Sequence, residues 1–345
     1  MTTDVFFERE NCFHPSIIPF RGKLLLIMHK MLAMDSFSVP LWCESPDGGR
    51  SWSVPEPIPT LPESGKYADF RPIQLEDESF AAIMGIVRDG AGWRSIYLFY
   101  DGKWSSPREF PLRIGADFRS ACAQSAVAPD GSLIIPFFYG LGNRFLTVTG
   151  KFRREGNRLI LQETGDPLDG KCGRGWYEPS VVSFAGNFYL TLRCDENCAW
   201  TAKSRDGLHW SSPGKWTFSD GTVLKTGPTQ QHWMLRDGNP WLVYTRHDRC
   251  NEDCFRWRTP LYAAPFLPEK GCLDRSRETV VLPRMDYRGR PGLYGNFHVA
   301  NLPDRSFVSD AALWFDRTPD RNAIDWFTTS VVITEIKNKH KVGEV

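Results

Sequence analysis

Apolar and polar positions follow one pattern six times along the chain. In each copy a polar residue opens a short apolar strand, a tight turn follows, and a second apolar strand returns, as in HPSIIPFRGKLLLI from residue 14. The turns carry Gly or Asp, which suit tight hairpins. The pattern therefore predicts a β-hairpin in each copy. The copies are 52 to 66 residues apart and open at His14, Arg71, Gln124, Glu178, Gln230 and Asn296.

Further β-rich segments lie between the copies, and no segment has the pattern of a long amphipathic helix. Six units of about 50 residues, each with about four strands, predict an all-β fold, a six-bladed β-propeller that residues 1–345 form as one domain. A pair of β-sandwiches with accidental spacing is the alternative. We expect a terminal strand, near residues 5–7 or 330–336, to close the ring.

Two turn motifs support the same architecture. Residues 45–52 read S-P-D-G-G-R-S-W, and residues 204–210 read S-R-D-G-L-H-W, with the serines 159 residues apart. In such a turn the Asp accepts backbone N–H groups, the Gly takes a left-handed conformation, and the Trp packs between blades. We therefore expect structural rather than catalytic roles for Asp47 and Asp206.

The six opening residues are expected to form a ring at one rim of the central channel, because the innermost strand of each propeller blade runs along the axis. Loops that follow the second strand of each blade should join this ring. Arginine forks there would match the carboxylate of an acidic sugar. The candidate substrate ligands are Arg71, Arg193, Arg246, Gln124, Gln230, Gln231, His232 and Asn296.

The S-x-D-x-G-x-[ST]-W turn and the six-fold repeat resemble the sialidase (neuraminidase) superfamily. Residues 13–16, Phe-His-Pro-Ser, are similar to the Phe-Arg-Ile-Pro motif that opens the first sialidase blade. The resemblance implies that Asp35, ten residues before the first turn motif, is a general acid. It also implies that Glu178, followed by Arg193, is the carboxylate that polarises a tyrosine nucleophile, an exception to the usual scheme of two carboxylates.

The nucleophile and the carboxylate clamp are less well matched. Tyr294 lies near the expected place for the tyrosine, and Tyr244 is a rival. His14 stands where the family has the first arginine of its clamp, and an imidazole cannot form the bidentate fork of a guanidinium. The substitution argues against ordinary sialic acid specificity and makes His14 itself a catalytic candidate.

Charge and composition exclude several classes of function. The chain has 42 Lys and Arg against 41 Asp and Glu, so no broad positive field favours nucleic acid or an anionic membrane. No apolar run is long enough to span a bilayer, and no signal peptide is recognisable in the first residues. Nine cysteines without a framework spacing favour reduced thiols and a cytoplasmic location. We expect no cofactor, since no phosphate-binding or dinucleotide motif occurs.

Two cysteine pairs share a C-x3-C spacing in loops that the repeat places on corresponding positions of neighbouring blades. They are Cys194 with Cys198 and Cys250 with Cys254. Four converging thiolates could hold a structural zinc ion. Reduced thiols or a disulfide are the alternatives.

Three functions from different classes remain open. The first is a sialidase-like glycoside hydrolase that acts on an acidic or unusual terminal sugar of a glycan. The second is a polysaccharide lyase, in which His14 or a tyrosine removes a proton beside a uronate carboxylate held by Arg71 or Arg246. The third is a propeller that binds glycans without catalysis, because a fold alone does not establish chemistry.

Overall fold

The computed structural model describes residues 1–33, 36–75, 77–88, 92–112, 114–120, 122–315 and 327–339. Nearly all regular structure in these ranges is β-strand. The helical segments there are three short 3-10 turns, Arg249–Asn251, Phe255–Trp257 and Arg275–Arg277. None of the helices described is long and apolar enough to cross a membrane.

Six antiparallel sheets form the blades, which confirms the predicted six-bladed β-propeller. From the axis outwards, blade one consists of Cys12–Phe20, Lys23–Ala33, Leu41–Ser45 and Glu56–Pro57. Blade two consists of Lys66–Gln74, Phe80–Arg88, Gly92–Tyr100 and Arg108–Glu109. Blade three has a divided inner strand, Ala116–Arg119 and Ala126–Val127, followed by Leu133–Leu141, Arg144–Glu155 and Arg158–Thr164.

The second half of the ring has the same layout. Blade four consists of Tyr177–Phe184, Asn187–Arg193, Ala199–Ser204 and Gly214–Lys215. Blade five consists of His232–Arg236, Asn239–Tyr244 and Leu261–Leu267, with Cys272–Leu273 and Thr279–Leu282 outside them. Blade six consists of His298–Asn301, Arg305–Phe315, Phe327–Lys337 and Thr2–Glu10. Ser36–Phe37 connects blades one and two, and Asp286–Tyr287 pairs with Arg290–Pro291.

The ring closes through both ends of the described chain. Thr2–Glu10 is the outermost strand of blade six and pairs with Phe327–Lys337, so that Thr2 lies opposite Glu335 and Phe6 opposite Val331. Sequence analysis treated the two segments as alternatives for closure. The structure uses both, because the N-terminal strand completes the sheet to which the C-terminal strand belongs.

Strand direction defines two ends of the propeller. The inner strand of every blade begins at one end, here called the mouth, and the second strand returns to the mouth. Two-residue turns at the opposite end join these strands in blades one, four and five, with both turn residues at positive φ. This is the turn geometry that suits the twist of a hairpin. The turn residues are Arg21–Gly22, Ala185–Gly186 and Asp237–Gly238.

The turn motif at residues 45–52 also lies away from the mouth. Asp47 Oδ1 accepts from the backbone N–H groups of Arg50 (3.0 Å) and Ser51 (2.9 Å), as expected for a structural turn. In the motif at residues 204–210, Trp210 Nε1 donates to Thr149 Oγ1 of blade three at 3.1 Å. The tryptophan therefore packs between blades, as the sequence predicts.

Apolar side chains fill the space between neighbouring blades. Each of the six blade-to-blade interfaces has its own buried cluster, and aromatic residues contribute much of the buried volume. The largest fully buried side chains are Trp216 and Trp233. Because this packing holds the inner strands in a ring, polar residues from all six blades converge at the mouth.

Candidate functional site

Inner strands of four blades bulge where they begin at the mouth. The pairing register shifts in blades one to four, and one residue in each shift has a positive φ. These residues are His14 (φ 52°), Asp69 (φ 40°), Asp117 (φ 50°) and Glu178 (φ 49°). A bulge redirects the side chain, and left-handed conformations of non-glycine residues are concentrated at functional sites. The bulges thus place acidic groups or an imidazole at one rim.

Glu178 forms an ion pair with Arg193 across blade four. Arg193 lies on the strand next to Glu178, opposite Tyr177, and its Nη1 donates to Glu178 Oε2. The two side chains are 13% and 11% exposed, so the pair remains accessible from the mouth. The Arg193 guanidinium also lies over the ring of Tyr177, 4.8 Å from its centre. Sequence analysis predicted both residues, and the structure brings them together.

Arg258 is a second guanidinium beside this pair, which sequence analysis missed. Burial and the positive charges of Arg193 and Arg256 lower the pKa of Arg258 to about 10, and the nearby carboxylates of Asp310 and Glu178 offset this only in part. Its Nε is buried and has no hydrogen-bond partner among the described residues. Positive charge at the mouth is therefore incompletely neutralised by the protein. A bound anion would supply the missing partner.

Asp310 supports the segment that faces Arg258. Its Oδ2 accepts from the backbone N–H of Gly295 and its Oδ1 from that of Ala311, each at 2.7 Å. Burial raises the pKa of Asp310 to about 7, even though these hydrogen bonds and Arg258 act in the opposite direction. Gly295 has φ 122°, and a Cβ atom there would lie 3.4 Å from Arg258 Nε. Glycine therefore allows the chain to pass close to the guanidinium.

A buried polar network crosses the axis below the mouth. Arg71 Nε donates to Asp69 Oδ2 (2.9 Å), Nη2 to Gln230 Oε1 (3.0 Å), and Nη1 to the carbonyl of Phe297 (2.9 Å). The backbone N–H of Cys122 also donates to Asp69 Oδ2. Asp69 and Arg71 are 1% and 4% exposed. Burial favours the neutral form of Asp69, but Arg71, His14 and the hydrogen bonds outweigh it and lower the pKa of that carboxyl.

This network changes the interpretation of Arg71. The sequence predicts a substrate ligand, whereas in the structure the guanidinium binds acceptors from blades two, five and six. Arg71 thus closes the channel beneath the mouth and joins blades across the axis. Asp69, which sequence analysis missed, occupies the position in blade two that corresponds to His14 and Glu178.

His14 lies between the network and blade one. Its Nδ1 is 3.6 Å from Asp69 Oδ1, and its ring centre is 4.6 Å from that of Phe37. Burial lowers the pKa of His14 to about 4, although Asp69 favours the charged form. The imidazole is 6% exposed and therefore neutral at physiological pH. It supplies no positive charge where the sialidase resemblance places an arginine.

The remaining predicted polar residues line the channel and mostly bind neighbouring blades. Gln124 spans from blade three to blade five, where it accepts from the N–H of Trp233 (2.6 Å) and donates to its carbonyl (2.9 Å). Gln231 Oε1 accepts from Thr191 Oγ1 at 3.1 Å, and His232 Nδ1 lies 2.8 Å from Ser180 Oγ. Asn296 is half-buried and its backbone N–H binds Asp310. Contact of these side chains with a ligand stays a prediction.

The two candidate tyrosines do not face the mouth. Tyr294 is 1% exposed and its hydroxyl donates to the carbonyl of Pro283 at 2.9 Å. The hydroxyl of Tyr244 donates to Glu278 Oε1 at 2.6 Å, and the side chain is fully buried. Their predicted role as nucleophile is wrong for this structure, because each hydroxyl is committed to an acceptor within the packed blades. The tyrosine beside the Glu178–Arg193 pair is Tyr177, whose hydroxyl donates to Asp195.

Arg246 belongs to the outer part of blade five. Its guanidinium binds Glu278 and Asp248 and lies 4.2 Å from the centre of the Tyr262 ring. These partners neutralise and cover the side chain, so the prediction of a substrate ligand is corrected to a structural ion pair. Asp35, the predicted general acid, lies outside the described residues.

The two C-x3-C pairs do not form one four-thiol site. Sγ of Cys194, Sγ of Cys198 and a carboxylate oxygen of Glu196 lie within 4.8 Å of one another, and this is the one such group among the residues described. Sγ of Cys250 instead lies 3.5 Å from the hydroxyl of Tyr262, and Cys254 packs in a different cluster. Neighbouring loops thus keep the two pairs apart, which corrects the predicted ligand set.

No protein-family model and no protein of curated function matches the sequence. Among solved structures, Trypanosoma rangeli sialidase in complex with the inhibitor DANA matches with a TM-score of 0.64 and 17% identity, over 94% of this chain and 55% of that one. A Hadza microbial sialidase matches with a TM-score of 0.62 and 10% identity, over 95% and 66% of the respective chains. The endosialidase of phage phi92 matches with a TM-score of 0.58 and 10% identity, over 100% and 70%.

These likenesses establish the fold. The chain is a sialidase-like six-bladed β-propeller, as the sequence motifs predict. It spans just over half the length of the Trypanosoma rangeli sialidase that it matches. At 10 to 17% identity the comparison does not extend to activity.

Proposed function

We propose that this protein is a sialidase-like glycoside hydrolase that acts on an acidic terminal sugar at the mouth of the propeller. The observation that carries the proposal is the group formed there by Glu178, Arg193 and Arg258. It combines a carboxylate with two guanidinium groups, of which Arg258 lacks a full set of protein partners. Such a group suits a sugar that carries its own carboxylate close to the bond to be broken.

Substrate binding would rest on charge. Arg193 is already paired with Glu178, so Arg258 carries the net positive charge that an acidic sugar would neutralise. A hydrogen bond to a charged group contributes about 1.5–3 kcal/mol. The neutral His14 leaves a clamp of two arginines, which favours an acidic sugar other than the usual sialic acid.

Bond cleavage would use carboxylates without a tyrosine. Since the hydroxyls of Tyr294 and Tyr244 bind acceptors elsewhere, Glu178 would act directly and stabilise the positive charge that develops on the sugar ring. We assign protonation of the leaving oxygen to Asp35, on the resemblance given above. A general acid of this kind contributes about 10²–10⁴-fold to the rate.

One contact favours a second function. His14 is neutral and its Nδ1 lies 3.6 Å from Asp69, which is the orientation expected for a histidine base. A lyase could use it to remove a proton beside a uronate carboxylate. The lowered pKa makes His14 a weak base, and its burial restricts access, so the hydrolase is preferred.

The test is a screen of the purified protein with aryl α-sialosides, other acidic aryl glycosides and uronate oligosaccharides. Released sugar and new absorbance from an unsaturated product are recorded together. For a hydrolase we expect a saturated sugar, with activity lowered about 10²-fold or more in Glu178→Gln. Glu252→Gln, whose carboxylate is 65% exposed, is the matched control.

Other outcomes separate the alternatives. Full activity in Glu178→Gln would contradict the proposed mechanism. An unsaturated product that depends on His14 would identify a lyase. Glycan binding that persists without turnover, and that is unaffected in Glu178→Gln, would identify a binding propeller.

A further inference from the structure

A group of soft donor atoms lies at the mouth end of blade four, separate from the carboxylate and arginines of the candidate site. Cys194 and Cys198 are 1% and 5% exposed, and their sulfurs lie within 4.8 Å of each other and of a carboxylate oxygen of Glu196. Cys194 Sγ also contacts the carbonyls of Glu196 (3.7 Å) and Cys198 (3.3 Å). The turn at residues 194–198 therefore curls around its own thiols.

A third thiol reaches this group from the connection between blades three and four. Cys172 is 5% exposed, packs in the same buried cluster as Cys194 and Cys198, and its thiol is hydrogen-bonded with that of Cys194. The segment that follows it is held against the turn, because the N–H and Nε of Arg174 donate to Asp195 Oδ2 at 3.3 and 2.7 Å. Two loops that are distant in sequence thus bring three cysteines together.

We propose that Cys172, Cys194 and Cys198, with Glu196 as the fourth ligand, form a structural zinc site. Three sulfurs and one carboxylate oxygen suit zinc, whereas calcium and magnesium require oxygen ligands. Zinc binds sulfur at about 2.3 Å, which places the sulfurs of a tetrahedral site about 3.8 Å apart. The observed spread of up to 4.8 Å requires a contraction of about 1 Å. On binding, zinc displaces the thiol protons to solvent.

The position of the site gives it a purpose in the fold. Cys194 directly follows Arg193, and Cys172 lies six residues before Glu178. A metal ion that joins these two loops would fix the ends of the two strands that carry the ion pair. Catalysis by the metal is not part of the inference, because its ligands lie in the buried cluster between blades three and four.

The experiment is metal analysis of the full chain, purified under reducing conditions and after incubation with zinc. We expect one zinc per chain, and in the cobalt-substituted protein the intense thiolate-to-metal absorption of a tetrahedral site. Cys172→Ser, Cys194→Ser and Cys198→Ser should each lower zinc content at least five-fold. Cys250→Ser is the matched control, since it alters the other C-x3-C pair and should retain the metal.

Stability provides a second readout that does not depend on any activity. A chelator should lower the melting temperature of the wild type and of Cys250→Ser, but not that of Cys194→Ser. Fewer than 0.1 zinc per chain after reconstitution would overturn the proposal. So would full zinc content in Cys172→Ser, or a mass two daltons lower that shows a disulfide between Cys194 and Cys198.

Discussion

Arg193 and Glu178 lie fifteen residues apart on neighbouring strands of blade four, and the guanidinium donates directly to the carboxylate. The pair is formed within one hairpin, so a local sequence pattern is enough to specify it. Arg258 joins it from blade five, across a blade boundary. The site therefore consists of a locally specified pair and a charge delivered by the ring.

Arg258→Met tests whether this added charge binds substrate. Loss of a charged hydrogen bond of about 1.5–3 kcal/mol predicts a KM for an acidic sugar that is about 10- to 100-fold higher. The KM for a neutral analogue should change little. Steady-state kinetics on both substrates measures the difference. Arg284→Met, which removes an arginine paired with Asp253 and Asp286, serves as control, and an equal loss there would argue against a specific role.

Asp69→Asn tests the axial network. The substitution leaves the buried guanidinium of Arg71 without its carboxylate, and breaking a buried pair costs about 3–5 kcal/mol. We expect a loss of that size in the free energy of unfolding, measured with denaturant. Asp101→Asn breaks a pair with Arg21 in which both side chains are about half exposed, and it should cost no more than about 1 kcal/mol. Similar losses in the two variants would contradict the proposed importance of the network.

Buried histidines predict that the protein is destabilised by acid. Burial lowers the pKa of His298 from 6.5 to about 3, and Arg71 acts in the same direction. Because the unfolded chain binds the proton more readily, this contribution to stability is complete above about pH 6.5 and is lost as the pH falls towards 3. The loss is on the order of 2 kcal/mol between about pH 6.5 and 5.

His298→Phe should therefore make the acid limb of the stability curve shallower. Unfolding free energies at a series of pH values provide the measurement. His209→Asn is the control with the opposite sign, since hydrogen bonding to Asp206 raises the pKa of that exposed histidine. An unchanged slope in His298→Phe would show that its proton affinity is the same in the folded and unfolded states.

Asp310 predicts a trend in the opposite direction. Burial raises its pKa from 3.8 to about 7, so the folded state holds a proton that the unfolded state releases. Its contribution to stability is present below about pH 3.8 and is lost as the pH rises towards 7. Asp310→Asn should lack this loss, so its deficit relative to the wild type should narrow between about pH 4 and 7. A constant deficit across that interval would contradict the raised pKa.

Local patterns were sufficient for the fold. Apolar alternation, turn residues and the S-x-D-x-G-x-S-W motif specify hairpins and blades, and all of these features lie within about 20 consecutive residues. Glu178 and Arg193 were predictable for the same reason. Asp69 was missed because the bulge in its strand shifts the register, so the opening residue of blade two was placed two residues late, at Arg71.

Features that depend on contacts between blades were not predictable. Arg258 follows a 3-10 turn in a long loop, and only the ring brings it to blade four. Tyr294 has a residue type and position that fit a nucleophile, but the direction of its hydroxyl is set by the packing of blades five and six. The cysteines show the same limit, since Cys172 joins the C-x3-C pair through tertiary structure alone.

Thr2–Glu10 completes the sheet that contains Phe327–Lys337, so the last contact of the ring joins segments more than 300 residues apart. A ribosome must release almost the whole propeller before this sheet can be finished. Until then blades one and six are not held together, and the mouth, which takes residues from every blade, cannot exist. Such distant pairing slows folding and leaves edges open for a time. The protein is therefore expected to gain its binding site in one late step, with no partially active intermediate during synthesis.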